Sequence, residues 1–110
     1  MRKTLFIGKW KLIEVGDWTD DELDQFDPAT IEFKKDRSGH IAFLALNAEI
    51  DWDTDEPEDY GRIDFIWIGF DDGTEVFGRG WAVCDDQELN GEIIFFKGDR
   101  FRLLARRMKS

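Results

Sequence analysis

Hydrophobic and polar positions alternate with a period of two along most of this chain, which indicates β-strands rather than helices. The clearest alternation lies around Gly78-Arg79-Gly80-Trp81-Ala82, where three consecutive antiparallel strands are predicted at residues 63–70, 74–84 and 89–96. Short acidic turns, Asp71-Asp72-Gly73 and Asp85-Asp86-Gln87, separate these strands.

Both faces of these central strands are apolar, because Phe65 and Trp67 alternate with Ile66 and Ile68. A sheet with one solvated face would carry polar residues on that face. Only one face can line an interior, so we expect the other to lie against another chain, as in a homodimer. The residues predicted for this interface are Leu44, Leu46, Ile66, Ile68, Ile94 and Phe96.

The remaining strands are predicted at residues 8–15, around Ile31 and Phe33, and at 40–46, 48–53 and 100–107. A single helical turn is expected at residues 19–23, where Thr19 and Glu22 have capping-box spacing. The sequence therefore predicts one all-β domain over residues 1–110, an antiparallel meander of about eight strands. Closure into a small barrel would remove both exposed edges of such a sheet.

The amino-acid composition indicates that the interior of the barrel is filled and that its surface is acidic. The chain of 110 residues contains ten Phe and five Trp, enough aromatic volume to fill a small barrel, and its net charge is −10. The acidic surface argues against direct nucleic-acid binding, although an acidic inhibitor of a basic nucleic-acid enzyme stays an alternative. One cysteine, no apolar run of membrane-spanning length and no signal-peptide core predict a cytoplasmic protein.

The first strand carries Gly8-Lys9-Trp10, which resembles the G-x-W signature of lipocalins and related calycin barrels. The resemblance implies that Trp10 closes one end of the barrel beneath an arginine of the last strand. Arg102 and Arg106 both match that arginine, and the sequence does not choose between them. The chain is shorter than true lipocalins and lacks their long C-terminal helix.

A second set of segments extends over most of the chain: Ile31-Glu32-Phe33, Glu49-Ile50-Asp51, Asp64-Phe65-Ile66-Trp67, the central segment around Arg79, and Gly98-Asp99. In these segments the chain is similar to a group of small bacterial proteins of uncharacterised function. That likeness implies the fold and transfers no catalytic residue.

Catalytic and metal-binding patterns are incomplete. The run Asp51, Asp53, Asp55 opens like an EF-hand loop, but Glu56 and Arg62 occupy the positions of the required glycine and glutamate. We therefore expect no metal site, no cofactor and no calcium binding tighter than millimolar. The chain has one histidine and one cysteine, so a nucleophile with an activating base is not expected and the protein is predicted not to be an enzyme.

A small-ligand site is the main alternative to a protein interface. Arg79 lies between two glycines and close to Trp81, and glycines allow a ligand or ring to approach the backbone. In this alternative, Arg79, Trp81, Trp67 and Phe65 bind a small apolar ligand in the aromatic interior. A structural ion pair, or packing of Arg79 on Trp81, is the simpler interpretation of the same residues.

Overall fold

A computed structural model describes residues 6–25, 27–54, 62–85 and 87–108, so the predictions at Asp55 and Asp86 fall outside it. The strands are β1 (Gly8–Val15), β2 (Trp18–Thr19), β3 (Thr30–Phe33), β4 (Ser38–Phe43), β5 (Leu46–Asp53), β6 (Arg62–Asp71), β7 (Thr74–Asp85), β8 (Glu88–Phe95) and β9 (Arg100–Arg107). A single helical turn, α1 (Asp20–Leu23), follows β2.

The strands form one antiparallel meander that closes on itself. From β3 to β9 each strand pairs with the next, β1 pairs with β3, and β1 also pairs with β9. The two-residue β2 is an addition that pairs only with the end of β1. The predicted fold, an eight-stranded lipocalin-like barrel, is therefore confirmed.

The predicted helical turn is also present, and it seals one side of the barrel. Glu22 Oε1 accepts a hydrogen bond from the Thr19 backbone N–H at 3.1 Å, which is half of a capping box. Leu23 is buried, and Lys11 Nζ lies 2.6 Å from Asp24 Oδ1 at the end of the turn.

Glycines on the inner face of β7 make room for aromatic rings from β6. A Cβ atom at Gly80 would clash with the ring of Phe65, and one at Gly78 would lie 2.9 Å from Cζ2 of Trp67. The Trp67 indole N–H donates to the backbone oxygen of Arg79 at 3.1 Å. The central glycines are therefore required by close packing of the interior.

Trp10 closes one end of the barrel, but the arginine above it is Arg107. The guanidinium of Arg107 lies 4.2 Å from the centre of the buried Trp10 ring, and these residues are directly paired between β1 and β9. Arg102 and Arg106, the predicted candidates, are exposed. Both predictions were wrong because Arg102 and Arg106 alternate with the inward-facing positions of β9, and Arg107 does not.

The predicted position of Leu46 was also wrong. The sequence predicted a strand through residues 40–46, but β4 ends at Phe43 and a turn of Leu44 and Ala45 separates it from β5. Leu44 has φ of +53°, the left-handed conformation that a tight turn requires. The turn restarts the alternation, so Leu46 faces the core and is only 3% exposed.

No helix among the residues with described coordinates is long and apolar enough to cross a membrane.

Candidate functional site

Five large apolar side chains on the outer surface of β6, β7 and the turn after β8 are exposed to solvent. We call Ile66, Ile68, Phe70, Phe77 and Phe96 the outer apolar patch, and their exposed fractions range from 47% for Phe77 to 59% for Ile66 and Phe96. The outward orientation of Ile66, Ile68 and Phe96 was predicted. Phe70 and Phe77 were missed, although both continue the same alternation along their strands.

Strand register makes this patch continuous. Ile68 is directly paired with Phe77, and the Phe77 backbone oxygen accepts a hydrogen bond from the Phe96 N–H at 2.9 Å. The Phe77 and Phe96 rings are stacked, with centroids 4.7 Å apart. Two strands and the turn after β8 therefore contribute to one apolar surface instead of several isolated side chains.

The other predicted interface residues contribute less. Ile94 is paired with Arg79 on the outer side of β8 but is only 9% exposed. Leu44 is partly buried against the core. Leu46 belongs to the interior, as described above, and is removed from the interface.

Charged residues border the patch. The outward positions of β5 are Asn47, Glu49, Asp51 and Asp53, and β5 pairs with β6 over its whole length. Asp51 is paired with Ile66, which is in turn paired with Arg79. An exposed acid and an exposed arginine thus lie on opposite sides of one exposed isoleucine.

The four residues predicted to share a ligand site are divided by the sheet. Phe65 and Trp67 belong to the interior, whereas Arg79 and Trp81 are on the outer side of β7. Inward positions of β7 are occupied by Gly78 and Gly80, which alternate with these two residues. The prediction of one interior site beside Arg79 was therefore wrong.

Trp81 is part of a polar cluster on the outer surface. Its indole N–H donates to Glu92 Oε1 at 3.0 Å, and Arg100 donates to the same oxygen at 2.9 Å. The hydrogen bond from Arg100, followed by that from Trp81, lowers the pKa of Glu92 below its ordinary value. Arg62, and not Arg79, packs over the Trp81 ring, at 4.8 Å.

An open cavity of about 750 Å³ lies at the barrel end opposite Trp10. The turns after β4, β6 and β8 border it, together with residues of β2 and β9. Its lining is mainly aromatic and aliphatic, with three aspartates among the loop residues: Trp18, Phe43, Leu44, Ala45, Leu46, Asp71, Asp72, Phe95, Phe96, Gly98, Asp99 and Phe101. This cavity was not predicted, because its residues come from distant turns.

Acidic residues are distributed over separate elements instead of forming one surface. They occur in α1, along β5 and in the turn after β6. Several are already paired with a base: Asp24 with Lys11, Asp53 with Arg37, Asp64 with Arg62, Glu88 with Arg106 and Glu92 with Arg100. This arrangement does not favour the acidic-inhibitor alternative.

No group of three or more metal-binding side chains occurs within the described part of the chain, which contains Asp51 and Asp53 but not Asp55. His40 lies on β4, where its Nε2 is 2.6 Å from Oδ1 of Asn47. Cys84 is partly buried at the end of β7.

No protein-family model, no curated protein and no solved structure matches this chain. The resemblance to calycin barrels and to small bacterial proteins therefore stays a prediction. The functional interpretation depends on the geometry of the outer apolar patch.

Proposed function

We propose that this protein is a non-catalytic interaction module that self-associates through the outer apolar patch. The observation that carries the proposal is the exposure of five contiguous large apolar side chains on a closed barrel. From their exposed fractions, they present on the order of 500 Å² of apolar surface. That area is at the upper end of the largest patch expected on a monomeric protein.

The composition of this surface fits a protein interface. Phenylalanine and arginine are enriched in interface centres, and the patch contains three Phe residues and is bordered by Arg79. A standard interface buries about 800 Å² per partner, so the polar residues on both sides of the patch would have to be covered as well. A cytoplasmic location is part of the proposal, and the presence of a single cysteine supports it.

Sedimentation equilibrium of the wild type and of Ile66→Glu tests this function. We expect a wild-type dimer at about 100 μM, since a micromolar dissociation constant is sufficient for dimerisation at that concentration. Ile66→Glu should be monomeric, because each dimer would bury two additional carboxylates within its apolar centre. Met108→Glu is the matched control: Met108 is 39% exposed and outside the patch, so its variant should remain dimeric. A monomeric wild type would reject the proposal.

The cavity at the open barrel end supports a second candidate function, binding of a small apolar ligand. Phe43, Phe95 and Phe101 supply an apolar lining, and about 750 Å³ lies within the range of small-molecule sites. A neutral solvatochromic dye such as Nile red should gain fluorescence on binding the wild type but not Phe101→Ala. Equal fluorescence with both proteins would count against this site. Ile66→Glu separates the two binding places, because the variant should keep dye binding in the cavity and lose dye binding on the patch.

A further inference from the structure

The outer face also indicates how a second copy would be oriented, an inference that depends on the proposed self-association. We infer that the dimer has a two-fold axis parallel to β6, so that Arg79 of each chain forms an ion pair with Asp51 of the partner subunit. Ile66 and Ile68 would then pack on their own equivalents at the axis.

The register of three strands supplies the charge pattern for this arrangement. Asp51 on β5, Ile66 on β6 and Arg79 on β7 are directly paired across the sheet. The acid and the base are therefore each one strand from β6, on opposite sides. A rotation about an axis along β6 exchanges those two sides and places each acid opposite a base.

Arg79 and Asp51 are free to make this contact. Both are exposed, and neither forms an ion pair with any other residue in the described ranges. Their neighbours differ in this respect, because Asp53 is paired with Arg37 and Asp64 with Arg62. Arg79 would lose water when the surrounding patch is covered, and a carboxylate from the partner would compensate for that loss.

The same charges disfavour a dimer in which the two-fold axis is perpendicular to the strands. With a two-fold axis perpendicular to the strands at Ile66, Arg79 would face its own equivalent and Asp51 would face its own equivalent. Like charges placed opposite each other in a desolvated interface are unfavourable. The charges of Asp51 and Arg79 therefore favour the axis parallel to β6 over this perpendicular axis.

The shape of the barrel is compatible with this contact. Adjacent strands are about 4.8 Å apart, so β5 and β7 remain close to the partner even though the barrel surface is convex. The pairing of β1 with β9 closes the barrel, and the two-residue β2 is added beside the end of β1. Within the described ranges a second copy therefore has no long free edge to extend and must dock on a face.

Charge reversal tests the arrangement. Asp51→Arg and Arg79→Asp each convert both symmetric ion pairs into like-charge contacts, and each should weaken dimerisation roughly tenfold or more. The double variant Asp51→Arg/Arg79→Asp restores opposite charges and should dimerise within about threefold of the wild type. Mixing the two single variants should give heterodimers, which native mass spectrometry distinguishes from homodimers by mass.

Asp17→Arg and Arg102→Asp are matched controls, since both positions are exposed and outside the patch, and they change the net charge equally. Both should dimerise like the wild type. If Ile66→Glu dissociates the dimer but the single charge reversals leave the dissociation constant within about twofold, this orientation is wrong and the proposed interface stands. Failure of the double variant to recover would also reject the ion pair. A wild type that is monomeric at about 100 μM would reject both the interface and its orientation.

Discussion

Replacement of Trp10 by alanine tests the closure of the barrel end. The Trp10 side chain is completely buried, its indole N–H donates to the Phe6 backbone oxygen at 3.0 Å, and the Arg107 guanidinium covers its ring. The substitution would remove all three interactions and leave a cavity that the closed sheet cannot fill by collapsing.

The expected cost is about 4 kcal/mol, since buried Trp→Ala substitutions cost roughly 3–5 kcal/mol. Domains of this size have total stabilities of about 5–15 kcal/mol, so the variant would lose a large fraction. With a urea m-value of about 1.5 kcal/mol/M, the unfolding midpoint should fall by roughly 2–3 M.

Urea unfolding followed by far-ultraviolet circular dichroism measures this loss independently of tryptophan fluorescence. Trp18→Ala is the matched control. Trp18 is only partly buried on β2, and it contacts the Phe101 ring at the barrel end opposite Trp10. Its loss should be clearly smaller. A cost below about 1 kcal/mol for Trp10→Ala would refute the role assigned to this residue.

Two further predictions concern β7 and β8. Gly80→Ala should destabilise the fold by about 2–3 kcal/mol in urea unfolding, because its Cβ would clash with Phe65 and with the Glu92 backbone. The Cβ added by Gly73→Ala would have no atom within 4 Å, so this variant should lose only about 1 kcal/mol of stability, because of its positive φ. Equal losses of stability in the two variants would contradict the packing argument. Glu92→Gln should be less stable than the wild type at pH 7. Because the folded pKa of Glu92 is lowered, its carboxylate contributes fully above the ordinary value of 4.5, and this contribution is lost as pH falls through the lowered pKa. Thermal unfolding at decreasing pH from 7 should therefore show the difference shrinking once the pH is below 4.5, and a constant difference would refute it.

Alternation predicted most of the fold because each strand has a period of two and every inward position needs an apolar residue. The orientation of Ile66 and Ile68 follows directly from that rule. The rule failed where a turn interrupted the alternation and the sequence contained no residue typical of a turn. The turn at Leu44 and Ala45 contains no glycine, proline or asparagine, so the strand was continued through it and Leu46 was assigned to the wrong face.

A similar limit applies to the arginine over Trp10. β1 contains an irregularity between Leu12 and Glu14, so that Leu12 is paired with Ala105 but Glu14 with Leu104. The register between β1 and β9 depends on this bulge, which residue types alone do not specify. The candidate patch was more predictable than the cavity, since the patch lies on adjacent strands whereas distant turns line the cavity.

The pairing of β1 with β9 has a consequence for folding kinetics. The strand pairs from β3 to β9 are joined by short connections in sequence, but Trp10 pairs with Arg107 and closes nearly the full length of the described chain. Loop-closure entropy makes such a contact slow to form, so the hairpins between β3 and β9 should assemble before the ring closes. Because the start of β1 lies beside the end of β9, a circular permutant that joins them by a linker and opens the chain at Gly73 would make this final pairing local. In that permutant β6 and β7 become the ring-closing pair, so β1 should pair with β9 early and β6 with β7 last, within the same barrel.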